Sequence, residues 1–219
     1  MSKMEIEKTI YFVRHGESED NTKPIFQAVE SPLSERGREQ AGKIAERAFK
    51  LDFQALVSSP YIRAKETAEA IARLTDKTPE YSDLFVERIK PSSINGKPHD
   101  DLLSKELSDK WSESLYKKGL KVEDGENYEE IIARSGKALK FLENHSAKNI
   151  LVVTHGFFFR VIMANVILGD SMTGENLKHF QSVSFMNNTG LSVLQYSKWN
   201  NESESKWRFW IYNDHSHLG

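Results

Sequence analysis

Two histidines, each followed by glycine and each standing where an apolar run ends, are the residues of this chain best suited to do chemistry. His15-Gly16 follows the run at 9–13, with Arg14 between, and His155-Gly156 follows the run at 149–154. An Arg-His pair is a poor end for a buried strand. It makes sense if the strand delivers a guanidinium and an imidazole to a polar pocket at the carboxyl edge of an open α/β sheet, where such sheets bind ligands. Arg63, expected in the first turn of the helix after the second strand, falls on the same rim. Four cationic or potentially cationic groups brought together would repel one another, and a bound anion resolves the conflict. Arginine's fork matches phosphate oxygens two at a time, and the helix amino termini expected after Ser59 and His155 add backbone dipoles.

A neutral imidazole attacks phosphorus to give a covalent intermediate that water can resolve. The positive surroundings disfavour imidazolium at His15 and stabilise charge on the transferring phosphoryl oxygens. The departing oxygen then needs a proton. Glu87, just after the third predicted strand, is the nearest candidate acid and would have to arrive protonated, with Glu80 and Asp83 as alternatives.

Positioning these groups requires parallel strands whose carboxyl ends share one edge. Residues 9–13, 54–57, 81–86 and 150–153 read as strands, and 191–196 and 206–212 as two more joined by a polar loop. Ser34 opens a helix in which Ala41, Ile44, Ala45 and Ala48 recur on one face. Residues 61–74 form a second helix started by Ser58-Ser59-Pro60, with Ala64, Ala68 and Ile71 inward. Asp124-Gly125-Glu126 starts a helix with Tyr128, Ile131, Ile132, Ser135, Ala138, Leu139 and Leu142 on one face, and the nearly all-round apolar stretch 157–168 is a buried helix. Strands alternating with helices predict an α/β fold: a three-layer α/β/α sandwich around a mostly parallel sheet. The whole of 1–219 reads as one domain, with an insertion at about 88–125 over the pocket in which 102–116 is helical.

Composition narrows the function classes. A formal net charge of −2, with no dense Lys/Arg run, argues against a nucleic-acid or membrane-surface protein. The absence of cysteine removes disulfides, thiolate metal sites and cysteine nucleophiles, and fits a cytoplasmic protein. The charged residues 1–8 do not read as a secretory signal, and Arg160 interrupts the most apolar stretch well short of a membrane span. Gly37 to Lys43 mimics a phosphate-binding loop, but Ile44 stands where the metal-binding hydroxyl belongs and the stretch is helical, so that reading is rejected. His99, His145 and His179 read as surface residues. Asp214, His215 and His217 resemble a metal cluster, but a structural role near the terminus is favoured, and no metal or cofactor is called.

Arg14-His15-Gly16-Glu17-Ser18 with Asn21, the Pro32-Leu33-Ser34-Glu35-Arg36-Gly37 turn, Ser58-Ser59-Pro60 followed by Arg63-Ala64 and Thr67-Ala68, and Thr154-His155-Gly156 together resemble the histidine phosphatase superfamily, more narrowly its phosphoglycerate mutase-like branch. The resemblance implies His15 as the phosphorylated nucleophile, Arg14, Arg63 and His155 as the phosphate pocket, Glu87 as the proton donor and Asn21 as a pocket-lining residue. Two departures stand out. Ala28 replaces a glycine common in the family, and residues 88–93 differ from its Gly/Trp-rich stretch.

The expected activity is hydrolysis of a small phosphate monoester through phosphohistidine on His15. The first alternative is a phosphoglycerate mutase-type phosphotransferase. Ser112-Glu113-Ser114 stands where family mutases carry an arginine pair, which favours the hydrolase. The second is a non-catalytic phosphate-binding module.

Overall fold

The computed structural model describes residues 3–219. In chain order its elements are β1 (Met4–Arg14), α1 (Glu35–Ala48), β2 (Ala55–Ser58), α2 (Ile62–Thr75), β3 (Pro79–Tyr81), α3 (Leu102–Glu113), α4 (Tyr128–Asn144), β4 (Asn149–Thr154), α5 (Gly156–Leu168), α6 (Gly174–Val183), β5 (Leu191–Trp199) and β6 (Lys206–Asp214). The strands form one sheet in the order β3-β2-β4-β1-β5-β6, in which β5 alone runs against the others: it is antiparallel to β1 on one side and to β6 on the other.

Strand alternation divides the core into two layers. Ile150 and Val152 of β4 join Ile10 and Phe12 of β1 on the face covered by α4, α5 and Leu177 of α6. Leu151 and Val153 point the other way, with Val13 and Leu56, toward α1 and α2. The second layer is built largely of alanine: Ala41, Ala45 and Ala48 on α1, Ala64 and Ala68 on α2. These small side chains let the two helices lie close to each other and to the sheet. The result is the three-layer α/β/α sandwich that the alternation of elements predicts.

The helix starts follow their capping residues. Ser34 accepts from the Gly37 amide at 3.0 Å, and Asn127 exchanges bonds with Glu130 in a capping box that starts α4 at Tyr128, three residues after the predicted Gly125 signal. Three other expectations need correction. The strand predicted at 81–86 is shorter and earlier, because Ser82 accepts from the Leu84 amide and turns Asp83–Phe85 into a 3-10 turn. The second helix starts at Ile62 after Tyr61, not at the Ser-Ser-Pro signal itself. Helix α6 was not predicted; its buried set is Leu177 alone, too sparse for a periodic pattern.

Candidate active site

Strand register places the two histidines side by side. Arg14 of β1 pairs with Thr154 of β4, so the next residue of each strand leaves the sheet beside the other. The His15 amide donates to the Thr154 carbonyl at 2.9 Å, and the imidazole centroids lie 5.0 Å apart. On the far side of β4, Ser58 pairs with Val153, which brings Ser59 to the same rim. Both imidazoles are buried, at 2% and 0% exposure.

His15 turns away from its strand through a contact that only glycine permits. A Cβ on Gly16 would lie 2.5 Å from the Gly37 carbonyl oxygen, and one on Gly37 would lie 1.9 Å from that of Glu17. The Glu17 carboxylate braces the same corner by accepting from the Ser34 hydroxyl at 2.8 Å. The Gly16 carbonyl lies 2.6 Å from Nδ1 of His15. A carbonyl only accepts, so Nδ1 carries the proton and Nε2 holds the lone pair. Nε2 in turn receives a long bond, 3.3 Å, from Nε of Arg63. Burial first, then the guanidiniums of Arg63 and Arg14, push the imidazole pKa well below its ordinary 6.5. Neighbouring charge alone was the expected cause; removal from water is the larger one.

His155 is oriented by a residue that the sequence reading used only as a helix signal. Oγ of Ser59 accepts from the Tyr61 amide at 3.3 Å and lies 2.8 Å from Nε2 of His155. The hydroxyl hydrogen is free to donate to Nε2, and in that tautomer Nδ1 carries the proton. That buried Nδ1 has no partner among the described residues, and neither has the buried Nε of Arg14. Arg14 is anchored at its other end, where Nη1 donates to the Met186 carbonyl at 2.5 Å, and it lies against Gly156, where a Cβ would crowd its Nε at 3.1 Å. In that tautomer two buried donors, Nδ1 of His155 and Nε of Arg14, lack acceptors close to the His15 ring. An oxyanion placed there would supply the missing acceptors.

Arg63 is 2% exposed, which removes the reading of a solvent-facing arginine. Its Nη1 donates to the Ala28 carbonyl at 3.0 Å, so the position where the family often has glycine contributes its backbone. Burial lowers its pKa to about 10, although Glu87 works in the opposite direction.

Glu87 corrects one expectation. The amino terminus of α5 was expected to face the anion directly, but Oε1 accepts from the Phe158 amide at 2.9 Å and Oε2 from the Phe157 amide at 3.2 Å. The carboxylate caps the helix that begins beside His155. Oε1 also accepts from the Arg88 amide at 3.0 Å, so Oε2 is the less occupied oxygen. A buried frame positions this segment. Arg134 binds both oxygens of Glu126 at 2.7 Å and donates to the carbonyls of Val86 at 2.8 Å and Leu84 at 3.2 Å.

Asn21 sits outside this cluster, exposed, in the 3-10 turn Glu19–Thr22, where its Oδ1 accepts from the Ser18 amide at 3.1 Å. It lines a cavity of about 420 Å³ together with Phe26, Trp111, Tyr116 and Phe157. A smaller cavity of about 170 Å³ opens onto Tyr61 and Arg63. Gln27, Glu87, Arg88 and Lys90 border both. Lys90 donates to the Gln27 carbonyl, and burial lowers its pKa to about 8. Arg88 is held inward by the Glu126 and Trp111 carbonyls and the Ser114 hydroxyl.

The carboxyl-terminal residues serve as a strap. Asp214 pairs with Arg47, whose Nη1 also lies 3.2 Å from Nδ1 of His217. Among the described residues no group of three or more His, Cys, Asp or Glu side chains is placed to hold a metal ion, and no helix is long and apolar enough to cross a membrane.

Paired histidines on adjacent strand ends, with a buried arginine between helix and imidazole, are the arrangement that the sequence motifs imply. The chain belongs to the histidine phosphatase superfamily (branch 1), whose family profile matches residues 10–207. Among curated proteins it is 31% identical over 166 residues to one of Citrobacter koseri named "Probable phosphoglycerate mutase GpmB", covering 72% of this chain and 74% of that one. Among solved structures, YhfR of Bacillus stearothermophilus superposes with a TM-score of 0.79 at 24% identity, covering 97% of this chain and all of the other. The alpha-ribazole phosphatase of Shigella flexneri superposes at 0.75 and 20% identity, covering 94% and 96%. These structural likenesses establish the fold.

Proposed function

We propose that the protein hydrolyses phosphate monoesters through a phosphohistidine on His15. The observation that carries this reading is the meeting of one lone pair with two unsatisfied donors. Nε2 of His15 is unprotonated, the His155 ring centre lies 5.0 Å from that of His15, Arg14 packs against Gly156 beside His155, and the buried Nδ1 of His155 and Nε of Arg14 have no partner among the described residues. In the first step Nε2 attacks phosphorus and the bond to the leaving oxygen breaks as Glu87 gives that oxygen a proton. In the second, Glu87 takes a proton from water, the hydroxyl attacks phosphorus and the P–N bond breaks, releasing phosphate and the free imidazole. Oε2 of Glu87, with a single amide bond, is the oxygen suited to this exchange. Arg14, Arg63 and His155 hold the phosphoryl oxygens throughout.

The name of the Citrobacter koseri relative supports a second reading, transfer of the phosphoryl group to another hydroxyl. Such an enzyme must hold a second anionic group near the first. Arg88 is already committed to two carbonyls and a hydroxyl, and Lys90 to a carbonyl, which favours water as the acceptor.

Quenching the enzyme during turnover of a labelled monoester tests the reading. An acid-labile, base-stable phosphoenzyme is expected, absent in His15→Ala, which should lose turnover by roughly four orders of magnitude or more, as removal of a nucleophile does elsewhere. A folded His15→Ala with near-normal turnover would reject the mechanism.

A further inference from the structure

We propose that the group esterified to phosphate is aromatic, and that it rests in the outer cavity against Phe26, Trp111, Tyr116 and Phe157. This rests on the reading of His15 as a phosphomonoesterase, and deepens it by naming the substrate class. Glu87 must reach the leaving oxygen and borders both cavities; the inner one, about 170 Å³ and shared with Arg63, suits the phosphoryl end, and the larger outer one is left for the leaving group's body. Phe157, whose amide binds Glu87, is itself part of the cavity wall. The body therefore meets aromatic surface immediately beyond the acid.

The cavity is formed by two segments distant in sequence. Phe26 donates its amide to the Lys97 carbonyl at 2.8 Å and accepts from Gly96 at 2.9 Å, while the His99 amide donates to the Pro24 carbonyl at 2.9 Å. This short ribbon sets the Phe26 and His99 rings edge to face at 4.6 Å. Opposite them, Trp111 is fixed by its indole N–H, which donates to the Glu126 carbonyl at 3.2 Å, and by the Arg88 guanidinium stacked 4.0 Å from its ring centre. A volume of about 420 Å³ exceeds the roughly 150 Å³ that accommodates benzene, and is enough for a bicyclic ring with a short linker.

Charge around the cavity points the same way. Its cations are Lys23, Arg88 and Lys90. Lys23 pairs with Glu19 at 3.3 Å, Arg88 is held by Glu126, Trp111 and Ser114, and Lys90 by the Gln27 carbonyl. The acid Asp20 accepts from the Ala28 amide at 2.8 Å. The inner pocket keeps donors unpaired, whereas the outer cavity satisfies its own and leaves ring faces to be covered.

The test compares leaving groups of similar basicity, so that ring contact and not bond reactivity is read. 2-(2-Naphthyl)ethyl phosphate is expected to exceed ethyl phosphate and 3-phosphoglycerate by tenfold or more in kcat/KM, chiefly through KM. Phe26→Ala should remove most of that preference while ethyl phosphate is turned over within about twofold of normal, and Phe26→Trp should retain it. His99→Ala provides the second variant if Phe26→Ala fails to fold. Equal or better use of 3-phosphoglycerate, or equal losses on both esters, overturns the proposal. Calorimetric binding of the matching naphthylethyl and ethyl phosphonates reads the cavity without turnover. Phosphonate preference without phosphate release would reject the phosphatase reading alone; release without preference would reject this inference alone.

Discussion

The inner pocket and the cover over it are built by different means. The groups of the pocket lie at or within a turn of the end of a regular element: Arg14 at the end of β1 and His15 just after it, Ser59 after β2, Arg63 in the first turn of α2, His155 before α5. Their positions follow from strand register and helix phase. The segment at about 88–125, proposed to cover the pocket, holds its shape through side chains that reach across the chain, such as Arg88 to Glu126 and Lys90 to Gln27. On the proposed function, the groups that must hold a fixed geometry about phosphorus thus stand on the rigid sheet edge. Those proposed to select what is attached to phosphorus stand on chain free to vary without disturbing the sheet.

The sharpest way to break this division is to attack the frame that joins its halves. Arg134 lies on α4 yet holds the carbonyls leading to Glu87, and its pair with Glu126 is 13% and 6% exposed. Arg134→Met leaves the Glu126 carboxylate buried without its cation and is expected to cost about 3–5 kcal/mol of stability. Urea unfolding measures this. A loss below about 1 kcal/mol would mean that the halves are held together elsewhere. Adding Glu126→Leu should recover part of the loss, because the penalty comes from the stranded charge.

Acid should find the inner pocket first. His15 and His155 have pKa values held well below 6.5 by burial, so between that value and their folded values the unfolded chain binds protons that the folded chain refuses. Stability is therefore complete above about pH 6.5 and falls as pH drops below it, with a slope of roughly 1.4 kcal/mol per pH unit for each imidazole. His217, whose pKa burial lowers to about 4, adds to the same slope, so His15→Gln should remove about a third of it, read from unfolding midpoints at pH 7, 6 and 5. An unchanged slope would place the acid sensitivity outside the pocket.

The same division explains what was legible in the sequence. The apolar runs before His15 and His155 and the alanine faces of α1 and α2 are local patterns, and they carried the fold and the two histidines. Ser59 was visible only as a helix-start residue, because its bond to His155 joins positions 96 apart. Glu87 was found by its place after the third strand, but its role as cap of α5 depends on a contact across 70 residues. His99 read as a surface residue and is exposed, but nothing in its neighbourhood shows the ribbon that carries it to Phe26. Long-range partners chosen by loops leave no period in the sequence, whereas strand ends announce themselves by where hydrophobicity stops.

Asn21 marks the boundary most finely, because the family resemblance assigns it to the phosphate pocket. Here its Oδ1 is occupied by the Ser18 amide, and Ser18 bridges to Leu33 and takes a bond from Gln27. A side chain engaged in that way shapes the loop that carries Gln27, and through it the cavity wall. Asn21→Ala should therefore cost about 1 kcal/mol of stability or less, as loss of a turn cap does. Its kinetic effect should appear in KM for bulky esters, with kcat for a small ester nearly unchanged. If kcat for ethyl phosphate instead fell a hundredfold, Asn21 would leave its cap to bind the phosphoryl group, and the rigid pocket would extend one loop further than the strand ends define.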